Sequence, residues 1–124
     1  MDKVKSYKDL IVYQKAYKLT LMLYNITKNF PDTERYGLTS QVKRCCVSIP
    51  SNIAEGYRRG NREYVQFLKI AYGSCAELET QLSLSKDLGF VSDKEKFEHV
   101  YSLQEEVSRM LGTIIRKIKN GENK

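Results

Sequence analysis

The chain has no tryptophan, one histidine, two prolines, seven glycines and three cysteines, and each scarcity removes a class of protein. Cys45 and Cys46 are adjacent and Cys75 is distant. This odd set without C-x-x-C spacing argues against a disulfide framework, a zinc site or a dithiol redox site. His99 is the single imidazole and has no cysteine or carboxylate pair at ligand spacing, so no metal is expected. Gly-rich phosphate loops and serine-nucleophile elbows are missing. Glu77 and Glu79 are two apart and point to different helix faces. The expectation is a non-enzyme with no cofactor. No stretch approaches the roughly 18 apolar residues of a membrane span, and Met1-Asp2-Lys3-Val4-Lys5 lacks the apolar run of a signal peptide. A cytoplasmic, reduced protein with no membrane partner is expected.

What is present suits one folded domain over residues 1–124. The composition is 41% hydrophobic and 29% charged, and a chain of this length buries roughly two thirds of the surface it exposes unfolded. Twenty-one basic residues against 15 acidic give +6, which favours an anionic partner.

Helical spacing predicts four helices, at about residues 8–28, 39–59, 62–88 and 93–119. Asn29-Phe30-Pro31-Asp32 ends the first, because proline cannot continue it. Gly60 separates the second from the third, which Asn61 is expected to cap, and Gly89 suits a left-handed C-terminal cap. Ser92 with Glu95 reads as a capping box for the fourth. No alternating strand pattern competes. The class is all-α, and the short connections imply an antiparallel up-down-up-down four-helix bundle.

Three helices show a single apolar face. Helix two offers Leu38, Val42, Cys45, Ile49, Ile53 and Gly56, and helix three Tyr64, Phe67, Leu68, Ala71, Cys75, Leu78 and Leu82. Helix four offers Val100, Leu103, Val107, Leu111, Ile114 and Ile118. Helix one carries two apolar stripes, Leu10-Tyr13-Tyr17-Leu21-Tyr24 and, nearly opposite, Val12-Ala16-Leu19-Leu23-Ile26. One stripe fills the bundle and the other needs a cover, because large exposed apolar patches are uncommon on monomers. A homo-oligomer is therefore expected, with Val12, Ala16, Leu19, Leu23 and Ile26 at the subunit contact.

Helix two is unusual in its middle. Pro50 lacks the N–H that would bond the Cys46 carbonyl, so a kink is expected, with Ser48, Ser51 or Asn52 satisfying the freed carbonyl. Gly56 disfavours helix, so a close helix approach is the reason to expect it there. Gln41, Arg44, Ser48, Ser51, Asn52, Glu55 and Arg59 form a polar stripe. It suits a ligand or nucleic-acid contact, but it suits better a polar seam in which Glu55 pairs with Arg59 and Asn52 bonds across a subunit boundary.

Several runs carry a resemblance: Tyr7-Lys8-Asp9-Leu10 with Gln14-Lys15-Ala16, Phe30-Pro31 with Glu34 and Gly37-Leu38, the run Ser48-Ile49-Pro50-Ser51-Asn52-Ile53-Ala54-Glu55-Gly56, and Gly73-Ser74 with Glu77-Leu78-Glu79. Over nearly its whole length the chain resembles the bacterial intervening-sequence proteins, small four-helix bundles of which some are encoded inside intervening sequences of large-subunit ribosomal RNA genes. The resemblance implies a ring-like homo-oligomer, commonly a pentamer. It also implies a fold similar to the basic accessory proteins of diversity-generating retroelements, pentamers that bind nucleic acid and a reverse transcriptase.

Positive charge concentrates at residues 38–62, which carry five basic groups and one acidic. Tyr57-Arg58-Arg59-Gly60-Asn61-Arg62 joins guanidinium forks for phosphate to a tyrosine suited to stacking on a base. Lys43 and Arg44 are the further candidates, with Glu55 a competitor for Arg44. The same arginines also suit a plain complement to a helix dipole. The expected function is non-enzymatic binding of nucleic acid, with structured RNA favoured, through Arg58, Arg59, Arg62, Lys43, Arg44 and Tyr57. A scaffold docking another protein, such as an enzyme acting on nucleic acid, is the alternative.

Overall fold

A chain punctuated by so few breakers folds into four long helices wherever local capping allows. The computed structural model describes residues 4–121. The first predicted helix is divided: Ser6 caps a single 3-10 turn, Tyr7–Asp9. The Asp9 carboxylate accepts from the Lys5 and Ser6 N–H groups at 2.8 and 3.2 Å. With that box closed after one turn, Leu10 is extended and helix α1 runs Ile11–Thr27. Helix α2 runs Leu38–Arg59, its first N–H donating to the Glu34 carboxylate at 3.0 Å.

Gly60 alone joins α2 to α3, which runs Asn61–Asp87. Its φ of +100° is a conformation that L side chains rarely adopt. Gly60, not Asn61, occupies the capping position, and no side chain bonds there. At the far end of α3, Gly89 has φ +81° and the Phe90 N–H donates to the Ser85 carbonyl at 2.9 Å, the six-to-one bond of a Schellman cap. Helix α4 runs Lys94–Lys119. Its cap is Asp93, whose carboxylate accepts from the Lys96 N–H at 3.0 Å, in place of the expected Ser92–Glu95 box. Among the described residues no helix is long and apolar enough to cross a membrane.

The helices close a four-helix bundle in which each packs on its chain neighbours and α1 also packs on α4. Val12, Ala16, Leu19, Leu23 and Ile26 all lie in its core, none more than 9% exposed. The stripe expected at a subunit contact is therefore the interior face of α1. The purely aliphatic stripe goes inside because burial leaves no polar atom to satisfy, whereas tyrosines keep a hydroxyl that favours the surface. Tyr17, Leu21 and Tyr24 are exposed on the outer side.

The core-facing sides of α3 and α4 are wider than apolar spacing predicts. Phe97, Gln104 and Ile115 are buried in α4, with Leu103, Ile114 and Ile118 beside them, and α3 adds buried Ser74, Gln81 and Ser85. The Gln104 side-chain amide donates to the Cys75 carbonyl at 3.2 Å. Ser85 is tied to the Gln81 carbonyl at 2.8 Å.

Candidate nucleic-acid interface

The polar run of α2 is first a structural seam. Pro50 sits inside a continuous helix, and the Cys46 carbonyl it leaves without a helical donor is reached from α1: the Thr20 hydroxyl lies 2.9 Å from it and 3.0 Å from the Ala16 carbonyl. Ser48 and Asn52 do different work. The Asn52 side-chain nitrogen donates to the Ser48 carbonyl at 2.7 Å and sits 3.0 Å from the Ser48 hydroxyl, which pairs with the Ser74 hydroxyl of α3 at 2.9 Å. Asn52 thus bonds within its own subunit. Gly56 is buried against α3, where a Cβ would fall 2.5 Å from the Phe67 Cβ.

The turn beyond Gly56 carries the candidate arginines, and they divide into different roles. Arg59 bonds Glu55, one turn back on α2, at 3.0 Å and Glu63, across the Gly60 connection on α3, at 3.2 Å, and stacks over the Phe67 ring at 5.1 Å. The hydrogen bonds it donates to Glu55, first, and to Glu63 hold its guanidinium even more firmly charged than usual. It clamps the turn. Arg58 lies over the Tyr7 ring at 5.6 Å, and Arg62 is exposed on the first turn of α3. Neither has an ion-pair partner among the described residues. Tyr57 is half-buried, edge-on to Tyr64 at 5.9 Å, so its ring is partly taken.

Lys43 and Arg44 are not brought to this turn. They sit some 15 residues back along α2, a distance of about 22 Å at 1.5 Å per residue. Lys43 lies over the Tyr24 ring at 5.0 Å, and Arg44 is exposed. Glu55 pairs with Arg59, not with Arg44.

A second feature lies on the outer side of α1 and α2. Tyr7, Tyr13 and Tyr17 form a row with ring centroids 5.0 and 6.0 Å apart. They line a groove of about 490 Å³ with Leu21, Val47 and Ala54. Arg58 over Tyr7 and Lys43 over Tyr24 place a cation at each end. Spacing along α1 revealed this stripe but not that it was the outer one.

The thiols face inward. Burial pushes Cys45 and Cys75 up to about 12 and Cys46 to about 11, so all three hold their protons at neutral pH and lack thiolate reactivity. Among the described residues no group of three His, Cys, Asp or Glu side chains is placed to hold a metal ion, and His99 is exposed on α4.

A crystal structure of a protein of unknown function from the S23 ribosomal protein family of Bacteroides thetaiotaomicron has the same fold, with a TM-score of 0.76 at 22% identity, covering 85% of this chain and 98% of that one. No curated protein matches the chain. Residues 8–113 match the family model of the 23S rRNA-intervening sequence protein, a span that takes in the Ser48–Gly56 seam, the arginine turn and most of all four helices. The chain belongs to the 23S rRNA-intervening sequence protein family.

Proposed function

We propose that this protein is a homo-oligomeric, up-down-up-down four-helix bundle that binds structured RNA through the arginine turn and performs no catalysis of its own. Alternating helix direction is supported by the pairings along each interface. As α2 advances through Lys43, Cys46 and Arg58 it meets Tyr24, Thr20 and Tyr7, moving back along the chain. In the same way Asn25 meets Lys96 while Lys15 meets Glu106.

The observation that carries the binding reading is the division of charge at the turn. Glu55 and Glu63 are both engaged by Arg59, which leaves Arg58 and Arg62, beside a one-residue connection, with no ion-pair partner among the described residues. Assembly would repeat this rim. The outer α1–α2 groove is the face that a second copy covers, and the family resemblance implies a ring of five. Weak phosphate contacts from each subunit then add, with binding that falls steeply as salt rises.

In a second reading the assembled surface docks a protein partner, and the exposed Arg58 and Arg62 on its rim steer association. Light scattering on the purified protein, with and without nuclease and high salt and with the ultraviolet absorbance ratio recorded, separates the two. An oligomer that carries RNA and releases it on salt supports RNA binding. A nucleic-acid-free oligomer whose mass ignores added RNA at low salt replaces that reading with the scaffold.

A further inference from the structure

The groove between α3 and α4 changes sign along its length. Near the α2–α3 turn it opens into a cleft of about 580 Å³ whose charged walls are Lys69 of α3 and Arg116 and Lys119 of α4, with no carboxylate among the described residues that line it. Farther along the same two helices, the neighbouring cleft presents Asp87, Glu98 and Glu105 against Lys86. An anionic chain is drawn to the first stretch and repelled by the second.

The basic cleft also holds an aromatic ring. Tyr72 stands on its α3 side and packs on Gly112 of α4, where a Cβ would come within 3.4 Å of the ring edge. The bare glycine, which costs a helix interior roughly 1 kcal/mol relative to alanine, lets the ring lie close to α4. Tyr72 nevertheless remains 46% exposed. The cleft volume is within the roughly 300 to 1,000 Å³ typical of ligand pockets.

Helix-dipole compensation accounts for Arg116 and Lys119 in the last turn of α4. Lys69 comes from a different helix, two turns inside α3, and faces that last turn across the cleft. Lys69 also shares a face of α3 with Arg62, seven residues earlier and about 10 Å away. That stripe joins the cleft to the unpaired arginine of the turn. Converging cations, an exposed aromatic ring and no acid are the requirements of a backbone-and-base contact with single-stranded nucleic acid.

We infer that the α3–α4 cleft binds an unpaired segment of RNA, with a base stacked on Tyr72 and the flanking phosphates on Lys69, Arg116 and Lys119. This rests on the RNA-binding reading above and names the part of the RNA that is held. The test is fluorescence anisotropy with labelled oligouridylate, and with a duplex RNA for comparison, on the full chain across a salt series. Circular dichroism verifies the fold of each variant.

Tyr72→Ala should weaken oligouridylate binding roughly five-fold or more, as loss of one stacked base does, while Tyr72→Phe retains it. Tyr72→Leu keeps the packing on Gly112 and serves if the alanine variant fails to fold. Lys69→Ala with Arg116→Ala and Lys119→Ala should flatten the slope of log affinity against log salt by about 2, at roughly 0.7 per single-strand phosphate contact. If the wild type binds oligouridylate and these variants match it in affinity and slope, with loss only in Arg58→Ala with Arg62→Ala, the cleft assignment is overturned and RNA binding stands. Binding of duplex alone also overturns it. A wild type that binds neither RNA removes both readings.

Discussion

The Thr20 hydroxyl of α1 sits 2.9 Å from the Cys46 carbonyl of α2, the acceptor that Pro50 cannot serve. A neighbouring helix thus supplies the donor that the proline removes. This contact explains how a proline is tolerated inside a continuous helix at the bundle interior.

Thr20→Val keeps the shape and removes the donor, leaving the Cys46 carbonyl unpaired, at a cost of about 1 to 3 kcal/mol. In a Pro50→Ala background the residue-50 N–H returns to that carbonyl, and the same Thr20→Val change should cost less. Urea unfolding of the four proteins in this cycle measures the coupling. Equal losses in both backgrounds would show that the hydroxyl does not serve the carbonyl.

Gly56→Ala improves intrinsic helix propensity by about 1 kcal/mol, yet it should destabilise. The new Cβ would lie 2.5 Å from the Phe67 Cβ and 3.3 Å from the Phe67 Cγ, and a Cβ cannot rotate away. Separating α2 from α3 to admit it should cost about 1 to 3 kcal/mol, read as a lowered urea midpoint. Phe67→Ala should not rescue the variant, because the nearest obstructing atom is retained. Rescue would place the clash in the ring.

Helix number, approximate ends and most core positions are legible in the sequence, because a period of 3.6 and the breakers Pro31, Gly60 and Gly89 are local signals. The break at Leu10 is not, since Ser6 and Asp9 close their capping box inside a stretch with helical spacing. The two stripes of α1 are equal by periodicity. What sorts them is the absence of polar atoms from Val12, Ala16, Leu19, Leu23 and Ile26, which periodicity does not weigh. Glu55, Arg59 and Glu63 stand at successive four-residue steps, so the clamp on Arg59 is visible in spacing that carries on across Gly60. Thr20 on Cys46 and the Lys69–Arg116 cleft each join two helices, and no local pattern announces them.

The buried thiols make alkaline stability a test of the core. Burial, first among the causes, raises Cys45 and Cys75 from an ordinary 9.0 to about 12. Below the ordinary value both folded and unfolded chains keep these protons. As pH climbs above it the unfolded chain ionises first, so stability falls between about 9 and 12. Tyr64, raised by burial to about 12, acts in the same direction. Urea midpoints from about pH 8 to about pH 11 should therefore decline, and less steeply in Cys75→Ala, which removes one such group. Parallel declines would mean that the Cys75 thiol is reached by solvent.

The outer stripe of α1 and its inner stripe make opposite predictions for the same substitution. Leu21 is 60% exposed and borders the aromatic groove, whereas Leu19, two residues earlier, is fully buried. A carboxylate at Leu19 has no partner in the core and should unfold the chain, since burying an unpaired charge exceeds the stability of a small domain. At Leu21 the same carboxylate faces water in an isolated subunit, where surface changes stay within about 0.5 kcal/mol. If a second copy covers this face, Leu21→Glu alone should convert the assembly to folded single chains, and Leu21→Glu with Tyr17→Glu should do so completely. Light scattering reports the mass and circular dichroism the fold. A folded Leu21→Glu, Tyr17→Glu protein that keeps the wild-type mass would move the subunit contact to another face.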